Sequence, residues 1–553
     1  MSATTALSRR RGKKKRDDRR KKHRGKNSGK HHGQGKKKNK KDAKASTPTK
    51  PATPTKPTKP ATPSTPTTTP ISYDPGAYPA TGVLPEPARH LVNRFSYGVT
   101  GALAAEVHAA GGHLAWFDQQ LAQPYDAATA AVADWWPDTH LDAATIYQRQ
   151  TDQVRGSWEV CYDIGRRTTT RRIISPYQVR EVMTEFWENH LHVPLPTDNI
   201  GVYRAPYGEL IRAGALGRFE DLLRGAVLHP AMLFYLGNTG STKKHPNENL
   251  GRELLELHTV GVGNHTEEDV KNSARILTGY RARTYSTWEA YYSSTDHWTG
   301  AVKVKEFTDP NTAPDGREMT LRYLSYLAHH PDTARRIATK LVRQFVSDTV
   351  PARLVDELAA VYLAHGTATA PVLQALVSSP EFAASVDGKL RDADEDVAAT
   401  YRLIGATPTQ PVDNNSAANV LYWQVSGLGL SPFGWPRPDG QPVDNRSWAS
   451  PTRALASMAM HWNMAGRWWP TKQVAFKQPV DFLPTAKLTF RDFVDHLSRV
   501  VLHRPATAEL LEACCVASDY KPSTEVTAKS DLFAWRWPRL AVALLDSPAF
   551  YQH

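Results

Sequence analysis

The sequence predicts an all-α protein, in which one large multi-helix domain with a small β-hairpin excursion follows a disordered tail. Apolar residues recur at helical spacing from about residue 86 onward. Residues 1–45 are polybasic and offer no apolar run that could pack. Residues 280–307 are instead rich in aromatic and β-branched side chains, which favours short strands. We therefore place the globular body at residues 86–553, with a sub-boundary near residues 310–330 left open.

The positive charge of the chain is concentrated at its N-terminus. Residues 1–60 hold 23 Lys and Arg and three acids, a net charge of +20, which leaves −6 for the rest of a chain whose total is +14. A negatively charged body lacks the electrostatic support for nucleic-acid binding. Residues 1–45 are expected to be disordered and to bind a polyanion, such as nucleic acid, anionic lipid or an acidic wall polymer. The alternative is a solubilising tail without a specific partner.

Residues 46–85 form a linker rich in Thr, Pro and Lys. Proline stands at nearly every third position in much of this segment. Such a pattern favours extended polyproline-type structure, so we expect a semi-rigid spacer that holds the body away from whatever the tail binds.

Several helices of the body have readable ends. The segment "SPYQVREVMTEFWENHLHVP" has a Ser-Pro start, an apolar stripe that includes Val179, Met183 and Phe186, and Pro194 as a stop. The segment "PNENLGRELLELHTVGVG" predicts a helix with Leu250, Leu254 and Leu257 on its buried side. Thr266 is a predicted N-cap with acids in the first turn after it, and Gly279 is the predicted stop of that helix.

Familiar catalytic and targeting signatures are missing from the sequence. There is no GxSxG, Walker A, HExxH or CxxC motif, and the three cysteines do not form a disulfide or zinc framework. No hydrophobic segment follows the N-terminal arginine cluster and no run of 18 apolar residues occurs. The sequence as written therefore predicts a cytoplasmic protein without a membrane span, although a misassigned start codon would leave export open.

Three clusters of polar residues are candidates for chemistry, and the smallest of them is Asp296-His297 in the aromatic excursion. The candidate catalytic residues are Asn247, Glu248, Arg252, Glu253 and Glu256, because Glu253 follows Asn249 by four positions and precedes Glu256 by three. On an α-helix such residues share one face beside the leucine stripe, where a half-buried carboxylate needs a partner. Glu253 would be the base or ligand, and Arg252 would bind an anionic group.

Histidines could supply that partner or bind a divalent metal. The candidates are His190, His192 and His258, although the two rings of His190 and His192 point in different directions unless the helix ends there. The alternative interpretation assigns all of these side chains to capping, buried hydrogen bonds and ion pairs between helices. A functional site requires the 247–256 side chains to converge with His190 in a shared hollow.

The order of several motifs is similar to a known bacterial family. The motifs include "HLVNRFSYG", "REVMTEFWENHLHV", "HPNENLGRELLELHTVGVGNHTEEDV" and "SPFGWPRPDG", from about residue 88 to the C-terminus. The chain resembles the family catalogued as domain of unknown function 1800. The resemblance implies a helical fold and, for many members, export and a sulfatase-like companion protein. It supplies no activity, cofactor or catalytic residue, and family members with Phe in place of His258 weaken that residue as a ligand.

Two functions are consistent with the sequence. In the first, the tail binds a polyanion and the body is an interaction scaffold for a protein partner. In the alternative, the body is a metal- or carboxylate-assisted hydrolase or transferase that acts on an envelope polymer, which would place the protein in the cell envelope, as the resemblance implies.

Overall fold

The described part of this protein is mostly helical, and it also contains short two-stranded β-ladders. The computed structural model describes residues 82–125, 132 and 134–553. The predictions for the tail (1–45) and for nearly all of the linker (46–85) lie outside the described residues. The all-α fold predicted for the body is confirmed, while a sub-boundary near residues 310–330 stays a prediction.

The N-terminal half of the body is a succession of short and medium helices. Its α-helices span Glu86–Arg94, Gly101–Ala109, His113–Ala122, Ala143–Thr151, Ser157–Ile174, Gln178–His190, Gly201–Gly214, Phe219–Val227, Pro230–Tyr235, Glu248–Glu253 and Glu267–Ile276. Shorter 3-10 turns occupy Pro137–His140 and Asn238–Gly240, and a π-helical turn occupies Leu254–His258.

The C-terminal half continues in the same way. Its α-helices span Arg317–Ala328, Pro331–Phe345, Ala352–Ala364, Thr369–Val377, Pro380–Ala383, Ala393–Leu403, Ala417–Gly427, Asn445–Trp448, Pro451–Ala465, Phe490–Val501, Ala508–Ser518, Trp537–Leu545 and Pro548–Tyr551. Two further 3-10 turns cover Pro479–Phe482 and Asp531–Phe533.

Four antiparallel ladders of three-residue strands complete the described fold. Two of them lie in the predicted excursion and pair Tyr280–Ala282 with Ala290–Tyr292, and Val302–Val304 with Phe307–Asp309. The other two pair Ala406–Pro408 with Val474–Phe476, and Lys487–Thr489 with Glu525–Thr527. The sequence signalled only the first region, because a three-residue strand is too short to show a period of two.

Predicted helix ends agree with the structure in two informative places. The Gln178–His190 helix buries the stripe of Val179, Met183 and Phe186 and ends before Pro194. Thr266 caps the Glu267–Ile276 helix in a capping box with Asp269, since each side chain accepts a hydrogen bond from the other residue's backbone N–H.

One predicted helical face is wrong. The helix that begins at Glu248 changes to a π-helical turn at Leu254–His258, which inserts an extra residue into the helical repeat. Leu254 and Leu255 are therefore buried together, while Leu257 is only partly buried. The i, i+3 and i+4 spacing used to place Glu253 and Glu256 on one face assumes a regular α-helix and does not hold past Leu254.

Buried ion pairs fix the helices that surround the Gln178–His190 helix. Arg204 is fully buried and its guanidinium donates to both carboxylate oxygens of Glu188, at 3.1 and 2.6 Å. Arg212 makes a similar pair with Glu181, at 2.6 Å. Because both arginines lie on the Gly201–Gly214 helix, these two bidentate pairs hold it in one register against its neighbour. Removing one partner would leave a buried unpaired charge, which typically costs about 3–5 kcal/mol.

A second buried network joins the C-terminal helices. The fully buried ring of His461 lies between two carboxylates, with Nε2 2.9 Å from Asp396 and Nδ1 2.7 Å from Asp546. Asp396 also accepts hydrogen bonds from Arg453 and Ser457. Burial alone would lower the pKa of His461, but the two carboxylates outweigh it and raise the pKa to about 9. His461 is therefore an imidazolium at neutral pH.

Among the described residues, none of the helices has both the length and the apolar character needed to cross a membrane.

We expect His461→Gln to destabilise the protein most at low pH. The folded-state pKa is raised, so the stability from this group is complete below pH 6.5 and is lost as the pH rises through 9. The difference in unfolding free energy between wild type and His461→Gln should shrink by about 3 kcal/mol between pH 6 and pH 9.5. Denaturant titrations at both pH values measure it, with His365→Gln, an exposed histidine, as the control. A pH-independent difference would contradict the charged assignment.

Candidate functional site: the Asn189 cleft

Three neighbouring cavities lie along the C-terminal half of the Gln178–His190 helix. The largest has a volume of about 200 Å³ and is lined by this helix, the Pro331–Phe345 helix and the loop of residues 439–444. The two smaller ones, of about 20 Å³ each, reach toward the N-terminal end of the Ala393–Leu403 helix. Asn189 and Gln441 line all three. We call the three cavities together the Asn189 cleft.

The side chain of Asn189 holds the loop that covers the cleft. Its Nδ2 donates to the carbonyl of Gln441 at 3.0 Å, and its Oδ1 accepts from the N–H of Gln441 at 2.6 Å. The Asn189 amide thus donates one hydrogen bond to the Gln441 backbone and accepts one from it, as a residue of a neighbouring antiparallel strand would. Gly440, at φ +81°, lies so close that an added Cβ would be 2.2 Å from the Asn189 carbonyl oxygen. Only glycine permits both this backbone angle and this approach.

Further hydrogen bonds secure the same loop. Nε2 of His192 donates to the carbonyl of Trp435 at 2.7 Å, and the N–H of Leu195 donates to the carbonyl of Phe433 at 2.8 Å. Nε1 of Trp448 donates to the carbonyl of Pro442 at 2.9 Å. These hydrogen bonds fix the Pro- and Gly-rich segment at several points, and the segment forms one wall of the cleft.

Two carboxyl groups face the smaller cavities. Oε2 of Glu185 accepts a hydrogen bond from the Tyr97 hydroxyl at 2.5 Å, and Arg172 lies 3.5 Å away. The carboxylate of Asp392 accepts from Nε2 of Gln441 at 2.9 Å and from the N–H of Glu395 at 2.9 Å. The side chain of Glu185 keeps 14% of its surface accessible, so solvent in the cleft reaches it.

Both carboxyl groups bind protons more tightly than usual. Burial raises the pKa of Glu185 to about 7, although Arg172 opposes the shift. Burial and repulsion from Glu185 raise the pKa of Asp392 well above its usual range. Two interacting carboxyls titrate as a pair. Raised pKa values favour the protonated carboxyl that general acid catalysis needs, so the pair is a candidate for proton transfer.

A lysine and a histidine face the largest cavity. Nζ of Lys340 lies 2.9 Å from Nδ1 of His190, and Nε2 of His190 lies 3.1 Å from the carbonyl of His258. A carbonyl only accepts, so Nε2 carries the ring proton and Nδ1 accepts from the lysine. Burial, then the cations Lys340 and Arg336, lower the pKa of His190 well below its usual range, which keeps the ring neutral.

The predicted site at residues 247–256 is not a shared hollow. Asn247 caps the Glu248–Glu253 helix and donates to the carbonyl of Gly237 at 2.7 Å. Arg252 lies 2.7 Å from Glu267, 3.5 Å from Glu256 and 3.9 Å from Glu248. None of these residues lines the Asn189 cleft. None of the three cavities brings these side chains together with His190, and Asn247 and Arg252 have local partners instead, so a catalytic role for the 247–256 residues stays a prediction.

Glu253 differs from the other predicted residues. It is half-buried, and burial together with repulsion from Glu256 raises its pKa. In the described part of the chain it has no hydrogen bond, and it lies close enough to Asp439 at the rim of the cleft to be repelled by it. A role for Glu253 in catalysis stays a prediction.

The three predicted metal ligands do not come together as a binding site. His190 and His258 bond each other's backbones: Nδ1 of His258 donates to the carbonyl of His190 at 3.0 Å, and Nε2 of His190 donates to the carbonyl of His258. His192 bonds the carbonyl of Trp435 in the loop. No group of three or more His, Cys, Asp or Glu side chains within residues 82–125, 132 and 134–553 has the geometry to hold a metal ion. The predicted divalent-metal site at His190, His192 and His258 is therefore not formed.

Sequence reasoning missed Glu185, Lys340, Asp392 and Gln441. Glu185 precedes Asn189 by one helical turn, so it was within reach of a pattern search. The other three come from distant parts of the chain, and no spacing rule relates them. Asp392 in particular has the sequence signature of an ordinary N-cap, which it also is.

These features define a class of protein: a helical body with a polar cleft under a Pro- and Gly-rich loop. The family model described as "Protein of unknown function (DUF1800)" matches residues 90–552, and the chain belongs to that family. The resemblance noted from the motifs is thereby confirmed. Comparisons with curated proteins and with solved structures returned no match.

We expect Gly440→Ala to destabilise the protein strongly. The new Cβ would press on the Asn189 backbone in addition to the cost of a left-handed backbone angle. Gly263→Ala is the matched control, because Gly263 has φ +83° and nothing lies within 4 Å of a Cβ there. Gly440→Ala should lose about 1–3 kcal/mol more than the control in denaturant unfolding. Equal losses would show that the loop does not rest on Asn189.

Proposed function

We propose that the body is a carboxylate-assisted hydrolase or transferase that works in the Asn189 cleft. The observation that carries this proposal is the pair of Glu185 and Asp392, two carboxyls with raised pKa values at the wall of one cavity. Perturbed titratable groups that line a cleft are the usual sign of acid–base chemistry. Asn189 and Gln441 between them supply amide donors and acceptors that can orient a substrate.

The proposed step uses one member of the pair as acid and the other as base. The protonated carboxyl gives its proton to the leaving-group oxygen as the bond from that oxygen to the substrate carbon breaks. The ionised carboxylate removes a proton from water, or from an acceptor hydroxyl, whose oxygen forms the new bond to the carbon. The proton lost by one carboxyl is gained by the other, and proton exchange between them restores the starting state.

The substrate that we propose is an envelope polymer. The charge contrast between tail and body supports it: residues 1–60 carry a net +20 and the remainder −6, so the tail would attach the protein to a polyanion for which the body has no general electrostatic attraction.

A scaffold function is the second candidate, favoured by an exposed aromatic surface. Trp158 and Trp423 are 51% and 47% exposed, and Tyr162 connects them, with ring centroids 5.6 and 5.2 Å away. Exposed tryptophans are typical anchors of protein interfaces. Here the partner would be the sulfatase-like companion protein that the family resemblance implies.

Product release from isolated envelope polymers tests the enzyme proposal. Full-length protein should release new chain ends or acyl groups, and Glu185→Gln and Asp392→Asn should each reduce the rate at least about 100-fold. Gln preserves the acceptor for the Tyr97 hydroxyl, so the fold should persist. Glu318→Gln, with an 89% exposed side chain, is the matched control.

Full activity in Glu185→Gln would contradict the acid–base role. If Trp158→Ala combined with Trp423→Ala abolishes co-purification with the companion protein while both carboxyl variants keep every activity, the scaffold function is the correct one.

Deletion of residues 1–70 tests the tail. We expect the full-length protein to bind heparin at low salt and the deletion variant to elute in the void volume, because the remaining chain has a negative net charge. Column chromatography over a salt gradient measures the difference. Equal retention of the two proteins would contradict polyanion binding by the tail.

A further inference from the structure

The largest cavity of the Asn189 cleft presents cations that lack anionic partners. Lys340 and Arg343 lie one turn apart on the Pro331–Phe345 helix, and both line the cavity of about 200 Å³. Among the described residues, neither has a carboxylate within ion-pair distance, whereas most arginines of the body are paired. An uncompensated ammonium group inside a cavity is costly unless a ligand supplies the countercharge.

The hydrogen bonding of Lys340 leaves donors free. Its ammonium group has three N–H donors, and the one hydrogen bond that it makes in the described part of the chain goes to Nδ1 of His190, at 2.9 Å. Because His190 is neutral, it fixes the position of Nζ without cancelling the charge. Two donors remain for a ligand in the cavity.

The charged groups around Lys340 are mostly cationic. Burial and the neighbouring Arg336 lower the pKa of Lys340 to about 7, with Arg343 adding to the shift and Asp439 opposing it. Arg336 donates to the carbonyl of Leu257 at 2.8 Å and does not line the cavity. Of the cations on this helix, Lys340 and Arg343 line the cavity.

The acids in the cavity wall are already engaged. Asp439 accepts from Nε1 of Trp435 at 2.7 Å and lies 3.3 Å from Arg437. Asp444 caps the Asn445–Trp448 helix, and its carboxylate accepts from the Ser447 N–H and hydroxyl at 3.0 and 2.9 Å. Asp439 is near enough to stabilise the charge of Lys340, but among the described residues neither acid forms an ion pair with Lys340 or Arg343, so both cations keep donors for an anion.

We propose that this cavity binds an anionic substituent of the substrate, a carboxylate, sulfate or phosphate group, through Lys340 and Arg343. The inference rests on the proposed function, since the cavity shares Asn189 and Gln441 with the carboxyl pair and would place an acidic polymer unit beside it. Lys340 supplies a charged point donor and Arg343 a planar fork at the more open side. Their role is to position the substrate, and the reacting bond lies toward Glu185.

Calorimetric titration of full-length protein tests this site directly. Sodium sulfate, phosphate and acetate are titrated separately at pH 6.5 into wild type, Lys340→Met, Arg343→Gln and a control, Lys271→Gln. The Lys271 side chain is exposed and does not line the cavity. All four proteins carry the same tail, so differences between them report on the cavity. Which ion binds best distinguishes a tetrahedral oxyanion from a carboxylate.

The expected result is affinity for at least one anion that Lys340→Met and Arg343→Gln each weaken about tenfold, with Lys271→Gln unchanged. Because Lys340 loses its charge as the pH rises through 7, the wild-type affinity should also weaken at pH 8.5, and Lys340→Met should show less of this change. Identical titrations for all four proteins would overturn the proposal, whatever anion the tail retains. If Lys340→Met does not fold, the titration of Arg343→Gln still tests the proposal, because the Arg343 side chain is exposed.

The outcome is separable from that of the carboxyl pair. Loss of anion binding in the two cation variants requires no turnover, and loss of turnover in Glu185→Gln requires no change in anion affinity. Anion binding without activity would leave the body as a binding protein, and activity without anion binding would remove only the substrate class.

Discussion

The pair of hydrogen bonds between the Asn189 side chain and the Gln441 backbone is the contact on which the cleft depends. An asparagine amide has the same donor and acceptor as a peptide group, so it can extend a backbone ladder from the side of a helix. Gly440 makes the contact possible because it has no Cβ to separate the loop from the backbone of Asn189. Other hydrogen bonds hold the loop at Phe433, Trp435 and Pro442, but this contact alone fixes the distance of Gln441 from Asn189, where all three cavities share a wall.

One physical cause explains the unusual protonation at both sides of that wall. Removal from water penalises the charged form of any group, so it raises the pKa of the carboxyls Glu185 and Asp392 and lowers that of Lys340. The pKa values of the two carboxyls rise and that of the lysine falls. The pKa values of Glu185 and Lys340 therefore both lie near 7. Arg172 opposes the shift of the Glu185 pKa, whereas repulsion from Glu185 adds to the shift of Asp392 and Arg336 adds to that of Lys340. A cleft in which Glu185 and Lys340 change charge near neutral pH suits proton transfer.

Local signals in the sequence were sufficient for the elements but not for the site. The stripe through Val179, Met183 and Phe186 and the cap at Thr266 are interactions within a few residues, so their patterns are legible in one segment. Residues 247–256 were expected to share one face, but Asn247 caps a helix, Arg252 pairs with nearby acids, and a π-helical turn breaks the regular spacing after Glu253. The cleft joins positions 185, 340, 392 and 441, whose proximity arises only from packing of the whole body.

Amide hydrogen exchange at Gln441 tests the central claim most directly. Its N–H donates to Asn189 at 2.6 Å, in a loop that would otherwise exchange rapidly. In wild-type protein, mass spectrometry of peptides that span residues 439–444 should show strong protection of this amide, and Asn189→Ala should abolish it while helices remote from the loop keep theirs. Rapid exchange at Gln441 in the wild type, or protection that survives in Asn189→Ala, would contradict the account.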